Sequence, residues 1–228
     1  MVKLLENTFR SINIGLANEV AIMCEKLGID VWEVIDAAST KPYGFMKFTP
    51  GPGLGGHCIP IDPLYLSWKM KNLNYNPKFI ELASKINSSM PEHVLLTLKK
   101  ALNNNQKTLK NSRILLFGMS YKKDIDDIRE SPSLDLLYLL NKYDSIVEYY
   151  DPFISEFIFN KRTNKSLKKL NSKIIKKFDA VLILTDHSNV DYKLIKDNAS
   201  IIIDTRNVYA SNKDNNIFRL GVGKSEKE

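Results

Sequence analysis

"RILLFGMSYKKDIDDIRESPSLDLLYLL", residues 113–140, holds a strand, a loop and a helix in that order. "RILLFG" is a short unbroken apolar run, the pattern of a strand buried on both faces. "SPSLDLLYLLNKY" starts with Ser131 as a cap and Pro132 at the first helical position, then repeats apolar residues at helical spacing. Further on, "SIVEYYDP", "DAVLILTD" and "SIIIDTRN" predict three more strands, and "DYKLIKDN" a short helix between the last two. "NIFRLGVG" adds an expected edge strand. Strands alternating with helices imply βαβ crossovers and a parallel sheet. The expected fold class is α/β, with a small doubly wound domain over residues 105–228.

Residues 1–104 carry a different pattern. In 3–27, Leu5, Phe9, Ile12, Leu16, Val20, Met23 and Leu27 recur at three- and four-residue steps, which predicts one long helix closed by Gly28. Leu4, Ile14, Ala17, Ala21 and Cys24 widen its apolar surface, so the helix is expected to be buried or to pack against a partner subunit. "DVWEVIDAAS" predicts a second helix capped by Asp30. Helical patterns return in "PLYLSWKMKNL" and "PKFIELASKIN". The latter is expected to stop near Met90, with Pro91 opening another helix, "PEHVLLTLKKALNN". An all-helical domain thus precedes the sheet domain.

The irregular stretch 40–62 lies between these helices and is dense in proline and glycine, and long loops inside compact domains are usually functional. Within it "GPGLGG", residues 51–56, fits the dinucleotide-binding pattern G-x-G-x-x-G. That pattern works only between a strand and a helix, where the pyrophosphate rests on the helix N-terminus. Pro50 and Pro52 spoil a preceding strand, and Pro60 and Pro63 prevent a helix from opening at the last glycine. The match is expected to be fortuitous. The loop after the first strand of the sheet domain has the opposite defect, with Gly118 as its single glycine. Its Lys122, Lys123 and Arg129 suit a nucleotide diphosphate at the C-terminal edge of a parallel sheet, or else pair with Asp124, Asp126 and Asp127.

Two cysteines form no disulfide framework. Cys24 reads as an inert small hydrophobe. Cys58, in a glycine-rich loop beside His57, is open to two assignments: the same inert role, or a nucleophile approached closely by a ligand. His93 and His187 stand apart, and no metal-ligand spacing is present. Lys3 and Asn7 are spaced i, i+4 and share a helix face, either as an exposed polar stripe or as part of a site.

Of the 228 residues, 43% are hydrophobic and 26% charged, which predicts a globular protein with a real core. No apolar run is long enough to span a bilayer, and "MVKLLENTFR" lacks the apolar segment of a signal peptide. A cytoplasmic protein with no membrane partner is expected. The net charge of +7 owes much to "KRTNKSLKKLNSKIIKK", residues 161–177, read as a solvated loop and helix face or a groove for an anionic metabolite. No zinc spacing or RNA-binding signature supports nucleic acid, so none is expected.

Together the pieces resemble the nucleotide-sugar 6-dehydrogenases, the UDP-glucose/GDP-mannose dehydrogenase family. "KLLENTFRSINIGLANE" resembles the start of that family's central dimerisation helix, and "GGHCIPIDP" its catalytic-cysteine loop. "GMSYKKDIDDIRESPS" and "DTRN" resemble the signatures of its UDP-binding domain. "TKPYGFMKFTPGPGLGGHCIPIDPLYLSWK" and "FIELASKINSSMPEHV" are similar to the branch acting on UDP-N-acetylhexosamines. UDP-N-acetylglucosamine is the first expected substrate, with UDP-glucose and UDP-N-acetylmannosamine as alternatives.

The resemblance implies a four-electron oxidation of the sugar C6 alcohol to a uronic acid, with NAD as hydride acceptor, on the way to surface polysaccharide. It implies Cys58 as nucleophile, Lys3 as oxyanion stabiliser, Asn7 as its partner and Asp62 as an organiser of water and base chemistry. Gly55, Tyr121, Lys122 and Arg206 would hold the UDP-sugar, with Lys41 as a candidate reaching across a homodimer built on the first helix. Arg129 would reach NAD. The family's NAD-binding domain has no counterpart before Lys3, so the chain is expected to be part of a larger enzyme, inactive alone. A non-catalytic nucleotide-sugar-binding module is the rival expectation.

Overall fold

The computed structural model describes residues 1–210 and 214–223; residues 224–228, the end of the expected second domain, lie outside them. The chain divides into two compact units, Met1–Met90 joined by the segment from Leu220, and Pro91–Arg219. The sequence suggested a boundary at 104/105; this division falls at Pro91.

In the first unit, α1 (Val2–Leu27) ends at Gly28, whose φ of 71° is the left-handed cap expected of it. Helix α2 (Val31–Ser39) is capped by Asp30, whose side chain accepts from the Trp32 N–H at 2.8 Å. Helix α3 (Asp62–Lys71) follows the proline- and glycine-rich loop, and α4 (Lys78–Asn104) begins in this unit. The expected break near Met90 does not occur: α4 is continuous, with Pro91 inside it. Met90, Val94, Leu98 and Leu102 form a fully buried stripe across the proline. Packing on both sides outweighs the ~3 kcal/mol that an interior proline costs a helix.

Helix α1 buries the face opposite to its apolar stripe. Leu5, Phe9, Leu16, Met23 and Leu27 are exposed, Leu27 at 71%. Asn7, Thr8, Ser11, Gly15, Ala17, Asn18, Ala21 and Cys24 are buried instead. Small residues are needed there because α4 crosses closely: a methyl on Gly15 would lie 3.3 Å from Ala83. Cys24 is inert, its thiol pushed up by burial and by the carboxylates of Asp30 and Glu25. The segment from Leu220 closes the unit. The Leu220 carbonyl accepts from Trp32 Nε1, the Gly221 carbonyl from the Val31 N–H, and Val222 bridges Asp30.

The second unit is an α/β domain. Its strands β1 (Arg113–Phe117), β2 (Ile146–Tyr150), β5 (Ala180–Ile183), β6 (Ile202–Asp204) and β7 (Ile217–Arg219) form a parallel sheet in the order β2-β1-β5-β6-β7. Side chains alternate between two cores, as a pleated strand requires. Ile114 and Leu116 join the second half of α4 and α5 (Pro132–Lys142). Leu115 and Phe117 join α6 (Ser172–Ile175) and α7 (Tyr192–Asn198). Helices on both faces make the sheet doubly wound, as expected. Strands β3 (Glu156–Phe159) and β4 (Arg162–Lys165) form a hairpin that the lysine-rich composition concealed. Its two turn residues, Asn160 and Lys161, both have positive φ, the turn geometry that matches strand twist.

Gly118 ends β1 with φ +85°, where a Cβ would lie 2.6 Å from Thr185 Cβ and 2.8 Å from its backbone nitrogen. Backbone cannot yield as a flexible side chain can. Gly118→Ala should therefore lower unfolding free energy by about 2–4 kcal/mol in urea titrations, combining left-handed strain with overpacking.

Candidate functional site

The first unit gathers four of the sequence-identified residues. Asn7 stands one turn after Lys3 on α1, and its Nδ2 donates to Asp62 Oδ2 at 2.7 Å. Lys3 Nζ lies 3.9 Å from the same oxygen. Asp62 opens α3, and its N–H and that of Ile61 both donate to the Cys58 carbonyl, at 2.8 and 3.2 Å. The carboxylate that holds Lys3 and Asn7 is thus fixed by backbone to the cysteine turn. The Cys58 thiol is half-buried, with Sγ 3.7 Å from Nδ1 of exposed His57. Gly55 lies half-buried in the same loop, while Lys41 is exposed, its N–H on the Ala38 carbonyl.

A buried amide relay anchors this loop, and the sequence did not single it out. The Gly51 N–H donates to Asn18 Oδ1, Asn18 Nδ2 to Asn87 Oδ1, and Asn87 Nδ2 to the Ser11 carbonyl, all within 2.9–3.0 Å. The relay also answers the dinucleotide question. The first glycine of the G-x-G-x-x-G match spends its N–H on Asn18, and the loop follows no strand and opens no helix at its last glycine. These residues do not fit a dinucleotide cradle.

In the second unit the strand order reverses between β1 and β5, the place where open parallel sheets bind ligands beyond their C-terminal ends. Tyr121 and Lys122 lie on the loop after β1, and Arg206 follows β6 with its Nε donating to the Leu184 carbonyl at 2.7 Å. In "DTRN", buried Asp204 accepts from the Arg206 and Tyr209 N–H groups, at 3.0 and 2.9 Å, and so shapes the turn that carries Arg206. The basic residues of the β1 loop divide. Arg129 forks onto Asp127, Nη2 to Oδ2 at 2.7 Å, whereas Lys123 stands 3.9 Å from Asp186. Lys122 is exposed. An open cavity of about 450 Å³ beside β2 is lined by Tyr150, Pro152, Ser155, Lys165, Ser166 and Lys168.

One residue organises this edge, and sequence reading passed over it. Asp151 stands at the end of β2, where dinucleotide-binding sheets present an acid to a ribose. Here it is 3% exposed and turned inward. Oδ2 accepts from the N–H groups of Met119 at 2.6 Å and Ser120 at 3.0 Å, with His187 Nε2 at 3.3 Å. Oδ1 accepts from Phe153 and Ile154, at 2.8 and 3.1 Å. Burial raises its pKa, but these donors outweigh burial and hold it down to about 2. The available signal was position alone: an aspartate before proline at the end of the second strand.

Residues 1–89 match the family model described as the UDP-glucose/GDP-mannose dehydrogenase family, central domain. Residues 115–211 match the UDP binding domain of the same family. The chain belongs to this family. It is 39% identical over 219 residues to a protein of Methanocaldococcus jannaschii named UDP-N-acetyl-D-mannosamine dehydrogenase, covering 91% of this chain and 47% of that one. It is 38% identical over 153 residues to the UDP-N-acetyl-D-glucosamine 6-dehydrogenase of Pseudomonas aeruginosa, covering 67% and 36%. The solved UDP-D-ManNAc dehydrogenase of Pyrococcus horikoshii superimposes with a TM-score of 0.84 at 33% identity, covering 98% of this chain and 52% of that one. The chain spans about half the length of these mannosamine relatives. Among the described residues no helix is long and apolar enough to cross a membrane, and no group of His, Cys, Asp and Glu is placed to hold a metal ion.

A carboxylate whose folded pKa is depressed stabilises above its ordinary pKa and loses that stabilisation as pH falls through the folded value. Asp151 should therefore contribute on the order of 2 kcal/mol that disappears between about pH 4 and pH 2. Asp151→Asn should lack this acid limb relative to the unaltered protein, and should lose roughly 3 kcal/mol at pH 7 because one amide cannot satisfy all these donors. Melts of both proteins across pH 2–7 test this; parallel curves would sink the clamp.

Proposed function

We propose that the chain is the central and UDP-binding portion of an NAD-dependent UDP-N-acetylhexosamine 6-dehydrogenase. The observation that carries this is Asp62, which holds Asn7 and Lys3 beside the turn bearing Cys58. The names of the relatives favour N-acetylmannosamine as the first sugar to test, ahead of the N-acetylglucosamine expected from sequence.

In this assignment the Cys58 thiolate adds to the C6 aldehyde left by the first oxidation, giving a thiohemiacetal. Its oxidation gives a thioester, and water cleaves that to the uronate and frees the thiolate. NAD would serve as acceptor for the two hydrides released per sugar; its main pocket is assigned outside these residues, and Arg129 is the residue here that would help hold it. Lys3 stabilises charge developing on the C6 oxygen, while Asn7 and Asp62 orient the hydrolytic water. The loop backbone at Gly55, together with Tyr121, Lys122 and Arg206, holds the UDP-sugar, and Lys41 is a reserve contact to the sugar from a partner subunit. The exposed stripe of α1, Leu5, Phe9, Leu16, Met23 and Leu27, is assigned to a second copy of the chain.

Three measurements test these assignments. Supplied with the remainder of such an enzyme and a panel of UDP-sugars, the chain should support uronate formation, and Cys58→Ser should lower it by about a thousandfold or more. Normal uronate output from that variant would remove the nucleophile. The purified chain alone should bind UDP yet form no NADH; NADH production would overturn the assignment of NAD to residues elsewhere. Leu16→Glu should halve the mass seen by light scattering, and an unaltered chain already monomeric at micromolar concentration would refute the α1 dimer.

A further inference from the structure

We infer that His187 is a positioning residue for nucleotide binding, because its imidazole grips both ends of the short stretch that presents Tyr121 and Lys122. The inference rests on the assignment of that stretch to UDP. His187 follows β5 and its side chain is wholly buried. Nε2 lies 3.3 Å from Ser120 Oγ and 3.3 Å from Asp151 Oδ2. On the other side of the ring, the Asp124 N–H donates to Nδ1 at 3.1 Å.

These partners define the tautomer. Nδ1 accepts, so Nε2 carries the hydrogen and directs it at the Asp151 carboxylate and the Ser120 oxygen. Ser120 Oγ can accept because its own hydrogen goes to the Lys122 carbonyl at 3.0 Å. The far end is held a second time by the residue after the histidine. Asp124 accepts from the Ser188 N–H at 2.8 Å and from its hydroxyl at 2.6 Å. Asp124 itself has φ +60°, a conformation that a non-glycine residue keeps only when its surroundings impose it.

The stretch needs such a grip because it has little order of its own. It contains neither helix nor strand, and after Gly118 it has no glycine to shape a phosphate cradle. Within it the Tyr121 N–H makes one cross-loop bond, to the Asp127 carbonyl at 3.0 Å. A loop ordered before its ligand arrives does not lose that ordering entropy on binding. His187 joins the β1 loop to the β5 loop on opposite sides of the sheet's switch point, so it supplies this order without touching the ligand.

The two amide analogues of histidine separate the ends. His187→Gln keeps a donor toward Asp151 and Ser120 but loses the acceptor for Asp124, whereas His187→Asn places an oxygen where Nδ1 stood. UDP titration calorimetry on the full chain should show Gln weakening binding about tenfold and Asn restoring it to within about threefold. Both variants should melt within a few degrees of the unaltered protein. Hydrogen exchange should show the Asp124 amide exposed in the Gln variant and protected in the Asn variant.

Unchanged UDP affinity in His187→Gln would overturn the positioning role and leave the UDP assignment standing. A loss of UDP binding that follows a collapsed melting temperature in both variants would overturn it as well, marking a role in folding alone. Failure of the unaltered chain to bind UDP would remove the nucleotide assignment, and the positioning role with it.

Discussion

A carboxylate taken out of water must recover its hydration from fixed donors, and Asp151 recovers it from four backbone N–H groups and an imidazole. Those donors belong to three separate chain segments: the turn after β1, the turn after β2 and the loop after β5. Satisfying one buried charge therefore fixes three loops at once, all at the C-terminal edge of the sheet. Gly118 enters the same constraint from the side, because Thr185 leaves no room for a side chain there. The edge is a prearranged surface on which the Lys122 side chain stands exposed.

The helical unit meets its own constraint with neutral groups. Asn18 and Asn87 sit at 0% and 3% exposure, and each spends its amide on the other and on backbone. The relay pins the beginning of an otherwise irregular loop, and two N–H groups on the Cys58 carbonyl pin its end. Between the pins, Gly53 and Gly56 adopt positive φ, the backbone conformation that glycine takes without strain. Polar residues on the inner face of α1 serve this loop and α3, so the large apolar residues of that helix are left facing outward.

Much of this was legible in the sequence. The unbroken apolar runs of β1, β5 and β6, buried on both faces, the caps at Asp30 and Ser131, and the misplaced prolines around the false glycine fingerprint all follow from local rules. Lys3, Asn7, Cys58 and Asp62, the residues of the proposed site, could be singled out because the motifs that carry the family resemblance survive in linear order. Other features, beyond the concealed hairpin and the amide relay, were not legible. Local rules stop a helix at Pro91, but they do not contain the buried stripe that carries α4 through it. A hydrophobic stripe says that α1 needs a partner without saying on which side its own unit lies. An aspartate ending a strand reads the same whether it faces a ribose or the protein interior.

The sequence by itself determined most of the elements, their order and the chemistry available: a thiol in a glycine loop, a lysine and asparagine on one helical turn, and basic residues after the first strand of a parallel sheet. Tertiary structure alone decided which of these groups meet. It brought Asp62 to Asn7 across 55 residues, Asn87 to the Ser11 carbonyl across 76, and His187 to the loop after β1 across 63. The physical reason is that backbone propensity acts over a few residues. The cost of burying a charge or an amide is relieved by whatever donor the fold brings near, however distant it is along the chain.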